Sequence, residues 1–223
     1  MTSNIQANAQ EAAALTAEQQ HIISVAAYTA NGDIEALKAE FQEALEAGLT
    51  VNEIREILIQ MYAYAGFPRS LNGINAFIDV LEQRKKQGIK DEKGTEPTPV
   101  AEDTDMIAYG NKVRNELADT DMSDNQAPFA QFAPVIDEYL KKHLFGEIFS
   151  RDVLSMQERE FATIGALAAM DGTQAQLGAH LNFSMNVGIT EQQLEAFVDV
   201  IEQELGAEKA TLAQETLNKI TSK

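Results

Sequence analysis

Apolar positions recur at three- and four-residue intervals along nearly the whole chain. Ile34, Leu37, Phe41 and Leu45 fall on one helical face, as do Ile54, Ile57, Leu58, Met61 and Ala65, and later Leu194, Phe197, Val198, Ile201 and Leu205. No segment alternates strictly enough to predict a strand, so the pattern predicts an all-α protein. It breaks clearly once, over Gly88–Asp105, where Gly94, Pro97, Pro99 and a dense mix of charges predict an exposed linker. The chain thus divides into a unit at 12–88, a linker at 89–105 and a second unit at 106–223.

The two units repeat each other. Gly32-Asp33-Ile34 through Gly48-Leu49-Thr50 and Ile54 matches Gly172-Thr173-Gln174 through Gly188-Ile189-Thr190 and Leu194 at a constant offset of 140. Upstream the offset is 139, with Leu15-Thr16 answering Leu154-Ser155. Most repeated positions are helix punctuation. Gly48 and Gly188 suit the left-handed residue that ends a helix, and Thr50 with Glu53 and Thr190 with Gln193 read as capping boxes that start the next one. Thr16 with Gln19 and Ser155 with Glu158 cap the earlier helices in the same way, while Leu49 and Ile189 can staple onto Ile54 and Leu194. Each unit is therefore at least three helices, and the two are expected to pack as a pseudo-dimer.

Composition narrows the function classes. Of 223 residues, 17 are Lys or Arg and 35 are Asp or Glu, a net charge of −18, which argues against nucleic acid and against anionic membrane surfaces as partners. With no cysteine there is no disulfide, no thiolate metal site and no thiol nucleophile. No apolar run approaches the ~20 residues of a membrane helix, and the N-terminus lacks a basic start and an apolar stretch. A cytoplasmic location is expected, although a mature exported form without its signal would read identically.

Candidate chemistry gathers around two histidines. Glu160 lies twelve residues before the turn glycine Gly172 and His180 eight after it. On antiparallel helices this puts them roughly 6 Å apart in height, within reach of long side chains. The first unit holds the same two positions with the residues exchanged, His21 where Glu160 stands and Glu40 where His180 stands. A carboxylate–imidazole pair is a standard proton-transfer device, and it is also a common structural pair. A His/Glu metal site built from the four residues is a further alternative, but their spacing matches no standard motif, and no metal is expected. The stretch Tyr64-Ala65-Gly66-Phe67-Pro68-Arg69 reads as a sharp corner, and Arg69 at the start of the following helix is a candidate for holding a carboxylate. Met170, Phe183 and Met185 read as core or pocket lining.

Gly146-Glu147-Ile148-Phe149-Ser150-Arg151-Asp152-Val153-Leu154, then Gln157-Glu158-Arg159-Glu160, Ala179-His180 and Asn186-Val187-Gly188-Ile189-Thr190, resemble the carboxymuconolactone decarboxylase family. The Tyr64–Pro68 corner resembles the end of that family's domain. The resemblance covers about 12–84 and 106–205 as two tandem copies. It implies the alkylhydroperoxidase D-like all-α fold and assembly into a homo-oligomer, here a trimer whose two units per chain imitate a hexamer. The family's peroxidase branch uses Glu, Cys-x-x-Cys and His in that order. Glu160 and His180 match the Glu and the His, while Thr173 and Gln176, which also have capping-box spacing, stand where the cysteines would be. What the resemblance then implies is a cofactor-free lyase working on a small carboxylated lactone or enol acid. Its catalytic candidates are His180, Glu160, His21 and Glu40, and its substrate-binding candidates Arg69, Arg159 and Tyr64. The alternative is a non-catalytic small-ligand binding or assembly protein that keeps the fold.

Overall fold

A computed structural model describes residues 14–222, and helices account for the regular structure throughout these residues. Residues 12 and 13 of the first unit and Lys223 of the second lie outside the described residues. The first unit holds α1 (Ala17–Asn31), α2 (Ile34–Ala47) and α3 (Val51–Lys86). Next come α4 (Met106–Ala118), the short α5 (Pro128–Phe132) and α6 (Pro134–Tyr139), and a π-helical stretch over Leu140–Ile148. The second unit closes with α7 (Met156–Ala169), α8 (Gln174–Asn186), α9 (Glu191–Leu205) and α10 (Ala207–Thr221).

The punctuation sets these boundaries. Capping boxes start α1 at Thr16, α3 at Thr50, α7 at Ser155 and α9 at Thr190, each with the side chain accepting from the third helical N–H and the reciprocal bond in place. Beyond the three helices of each unit, a second glycine pair at the same offset carries the repeat into a fourth. α3 kinks at Gly66 (φ 79°, ψ 163°), and α9 is separated from α10 by Gly206 (φ 88°, ψ 170°), 206 − 66 = 140 residues later. That backbone region is essentially closed to residues with a Cβ. Each repeat is therefore four helices, with the post-Gly66 half of α3 answering α10.

One core serves both repeats. Ile22, Leu37, Phe41 and Ile57 from the first are fully buried in the same cluster as Phe161, Leu181, Phe197 and Ile201 from the second. The equivalent helices α1 and α7 meet at its centre, where a Cβ on Gly165 would come within 2.6 Å of the Ile23 carbonyl oxygen. A polar network crosses the same interface. Glu56 of α3, with no exposed surface, takes Arg151 Nε and Nη2 at 2.8 and 2.7 Å. Arg159 Nη1 donates to Gln60 Oε1 at 2.7 Å, and Gln60 Nε2 donates back to the Arg159 carbonyl at 2.9 Å.

The linker is exposed along most of its length but is not free. Its Glu92 and Lys93 carbonyls accept from Val51 and Asn52 N–H at 2.9 and 3.0 Å, filling the bonds that the first turn of α3 cannot make internally. Beyond it, α4 and the π-helical stretch form a satellite apolar cluster of Val113, Leu117, Leu144, Phe145, Ile148 and Phe149. This cluster leans on α8 through Asn186 Nδ2, which donates to the Leu117 carbonyl at 2.8 Å.

Candidate functional site

The two carboxylate–imidazole pairs occupy equivalent places. His21 is the fifth residue of α1 and Glu160 the fifth of α7, while Glu40 is the seventh of α2 and His180 the seventh of α8. In each pair the imidazole Nδ1 meets the carboxylate, His21 to Glu40 at 2.7 Å and His180 to Glu160 at 2.8 Å. Among the described residues, no three His, Asp or Glu side chains come together in a way that could hold a metal ion.

The surroundings differ. Glu160 is fully buried, and His180 is buried beside a cavity of about 420 Å³ to which it contributes wall. The far wall comes from the α4–α6 segment through Arg114, Met122, Asn125 and Phe129, and the sides are largely apolar, with Leu144, Phe145 and Leu167 among them. Tyr64 and Phe183 present their rings edge-on to the imidazole, with centroids 5.7 and 5.2 Å away. Since Nδ1 is committed to Glu160, Nε2 is the nitrogen left to face the cavity. Tyr64 Oη and Glu160 Oε1 are buried without a hydrogen-bond partner among the described residues. Burial, reinforced by the Glu160 charge, raises the Tyr64 phenol far above the ordinary tyrosine range, so it stays protonated.

The His21–Glu40 pair lies in a different setting, with the imidazole about one-fifth exposed. Glu40 is buried, and burial pushes its carboxyl up to about 7 in spite of the His21 hydrogen bond and charge. Glu204 and Glu43 push in the same direction. Glu204 in turn accepts from the Tyr28 hydroxyl, which burial and the Glu204 bond hold above its ordinary range.

Two of the expected substrate-binding residues are elsewhere. Arg69 does follow the Gly66 kink, but its Nη1 donates to the Ala30 carbonyl at the end of α1. Arg159 is only 1% exposed and is held by Gln60, the Arg151 carbonyl and nearby Glu56. Burial lowers its guanidinium to about 10, which the Glu56 charge partly offsets. Neither lines the cavity; both serve backbone or buried polar groups that their sequence neighbours do not reveal. The capping box expected of Thr173 and Gln176 is also absent. Thr173 has φ −105° and ψ 13°, and its hydroxyl turns back to donate to the Leu167 and Met170 carbonyls. Both residues line the cavity instead.

Arg114 is the cavity residue that sequence reasoning missed. It is 3% exposed, with Nη1 on Asp137 at 2.6 Å and Nη2 on Asn111 and the Met122 carbonyl. Asp137 also takes Asn125 Nδ2 and Lys141 Nζ, each at 2.7 Å. Burial works against the charged form, but these bonds from Lys141, Asn125 and Arg114 hold the carboxyl down at about 2. The clasp ties α4, the 119–127 loop, α6 and the π-helical stretch together over His180. No sequence signal short of the fold places Arg114 and Asp137, 137 − 114 = 23 residues apart, against each other.

The family model for carboxymuconolactone decarboxylases matches residues 2–79 and again 134–215, more than half of the chain and one match per repeat. The chain belongs to the carboxymuconolactone decarboxylase family. An uncharacterized protein of Methanocaldococcus jannaschii is 27% identical over 78 residues, which cover 35% of this chain and 73% of that protein. The family matches include His21, Glu40, Tyr64, Glu160 and His180, whereas Arg114, Met122, Asn125 and Phe129 fall between them. Much of the cavity's far wall is thus supplied by a segment outside the family pattern. Among the described residues, no helix is long and apolar enough to cross a membrane.

Proposed function

We propose that the His180–Glu160 pair carries out cofactor-free proton transfer at a carbon atom of a small metabolite held in the adjoining cavity. The observation that supports this reading is the division of labour on the imidazole: Nδ1 bound to a fully buried carboxylate, Nε2 left to the cavity. A carboxylate behind Nδ1 fixes the ring and its tautomer, and a positioned imidazole is the commonest side chain for general acid–base catalysis. The apolar walls keep competing water away from a carbanion-like centre.

Two reaction types fit. In a lyase, His180 would protonate the carbon from which carbon dioxide departs. In an isomerase, it would remove a proton from one carbon and return it to a neighbour. A carboxylate clamp by Arg69 or Arg159 is no part of the reading, because both are engaged elsewhere.

A non-catalytic small-ligand binder is the second reading, favoured by the predominance of apolar side chains around the cavity. The experiment that separates the two incubates the protein in deuterium oxide with a panel of cyclic ketones, lactones and enol acids. Deuterium uptake at carbon and carbon dioxide release are followed by NMR. Turnover with any of them supports the enzyme; tight binding with neither exchange nor release supports the binder.

A further inference from the structure

We propose that the His180 cavity takes an uncharged, largely apolar molecule of one or two rings bearing a single carbonyl or enol oxygen, and discriminates against carboxylates. Arg114 supplies the cavity's only guanidinium or ammonium group among the described residues. Its terminal nitrogens are occupied by Asp137, Asn111 and the Met122 carbonyl, and its Nε, though without a partner among the described residues, is buried out of a ligand's reach. Lys141, the nearest further cation, also binds Asp137 and the Ser123 carbonyl. Thr173 has its hydroxyl proton directed at backbone carbonyls, and Asn125 uses its amide on Asp137 and the Ala127 N–H.

What remains for a ligand is a largely apolar surface with the His180 Nε2 edge and the exposed Gln176 amide. A carboxylate entering this space would lose hydration without a direct hydrogen bond from Arg114 or Lys141, whose terminal nitrogens are engaged by Asp137 and neutral groups, and the one positive charge by which the two exceed Asp137 offsets only part of that loss. The net charge of −18 adds a long-range disadvantage for anions. An uncharged ring would lose little on entry and gain from apolar contact, and its one oxygen could meet His180. This deepens the proposed function and rests on it for which end of the ligand reacts: it narrows the chemistry from decarboxylation, which needs a carboxylate, to proton transfer within an uncharged skeleton. The ligand class comes from Arg114, Asn125 and their partners, which lie between the family matches or, like Asp137 and Lys141, act on them from just inside the second.

The test is calorimetric titration of the full chain with two probes of one ring system, 2-acetylnaphthalene and 2-naphthoate. The expected result is one saturable site with ~10-fold or greater preference for the ketone, abolished by Ala179→Trp, which fills the cavity from its accessible side. Asp137→Asn releases Arg114 and should reduce the preference by ~10-fold by strengthening naphthoate binding. Naphthoate binding as tight as the ketone overturns the proposal, as does ketone binding that survives Ala179→Trp, or no binding of either probe. Unchanged preference in a folded Asp137→Asn protein overturns the role given to the Arg114–Asp137 pair. Failure of the proton-transfer reading looks different: His180→Gln keeps the ketone site, and no panel compound is turned over by the wild type.

Discussion

The Tyr64 ring meets the His180 imidazole edge-on, with centroids 5.7 Å apart and planes at 77°, although Tyr64 belongs to the first repeat and His180 to the second. The 140-residue offset carries Tyr64 to Glu204, and Glu204 reaches back to Tyr28 and acts on Glu40 in the first repeat's pair. Each imidazole–carboxylate pair, formed within one repeat, thus has a neighbour from the opposite repeat.

The Tyr64 hydroxyl is buried with no hydrogen bond of normal geometry among the described residues, and Thr163 beside it already gives its hydroxyl proton to the Arg159 carbonyl, so removing the Tyr64 hydroxyl should cost little. Tyr64→Phe keeps the edge contact, and its urea-unfolding free energy should equal the wild type or exceed it by up to ~1 kcal/mol. A loss of ~2 kcal/mol would show the hydroxyl to be hydrogen-bonded.

Glu56 should be the costliest surface-free carboxylate to neutralise. Arg151 and Arg159 both depend on it, and Arg159 has no route to water. Glu56→Ala is expected to lose ~3–5 kcal/mol in chemical denaturation. Arg159→Met should lose less, because it leaves Glu56 with Arg151; the reverse order would contradict this reading of the network.

Glu40 makes stability depend on pH. Its carboxyl sits at about 7 in the folded protein against an ordinary 4.5, so between those values the folded state holds a proton that the unfolded state has lost. The stabilisation is complete below ~4.5 and is lost as pH rises through ~7, by an amount on the order of 2–3 kcal/mol. Thermal midpoints should fall from pH 5 to pH 8, and the fall should be shallower in Glu40→Gln. Parallel curves for the two proteins would refute the assignment.

Much of the fold is legible in the sequence because helix punctuation is local. Thr50–Glu53 and Gly48 act through bonds within one turn, so spacing alone reveals them, and the Glu160–His180 approach follows from helix rise across one turn. Gly66 and Gly206 are legible as equivalents by the same offset, although Pro68 has no counterpart at Glu208. Long-range polar pairing left no such trace. Arg69 and Arg159 carry the same charge as a substrate clamp, yet the Ala30 carbonyl and Gln60 that engage them are 39 and 99 residues away. Arg114 and Asp137 hide in a helix and loop segment whose composition resembles an ordinary solvated surface.

The proposed function requires that His180, and not the exchanged pair of the first repeat, move the proton. Turnover of any panel substrate by His180→Gln and His21→Gln, each checked for native circular dichroism and assembly, tests it most directly. His180→Gln is predicted to lose ~100- to 10,000-fold in kcat, the usual range for general acid–base catalysis, while His21→Gln stays within ~10-fold of the wild type. Near-full turnover by folded His180→Gln, or a larger loss in His21→Gln, would contradict it.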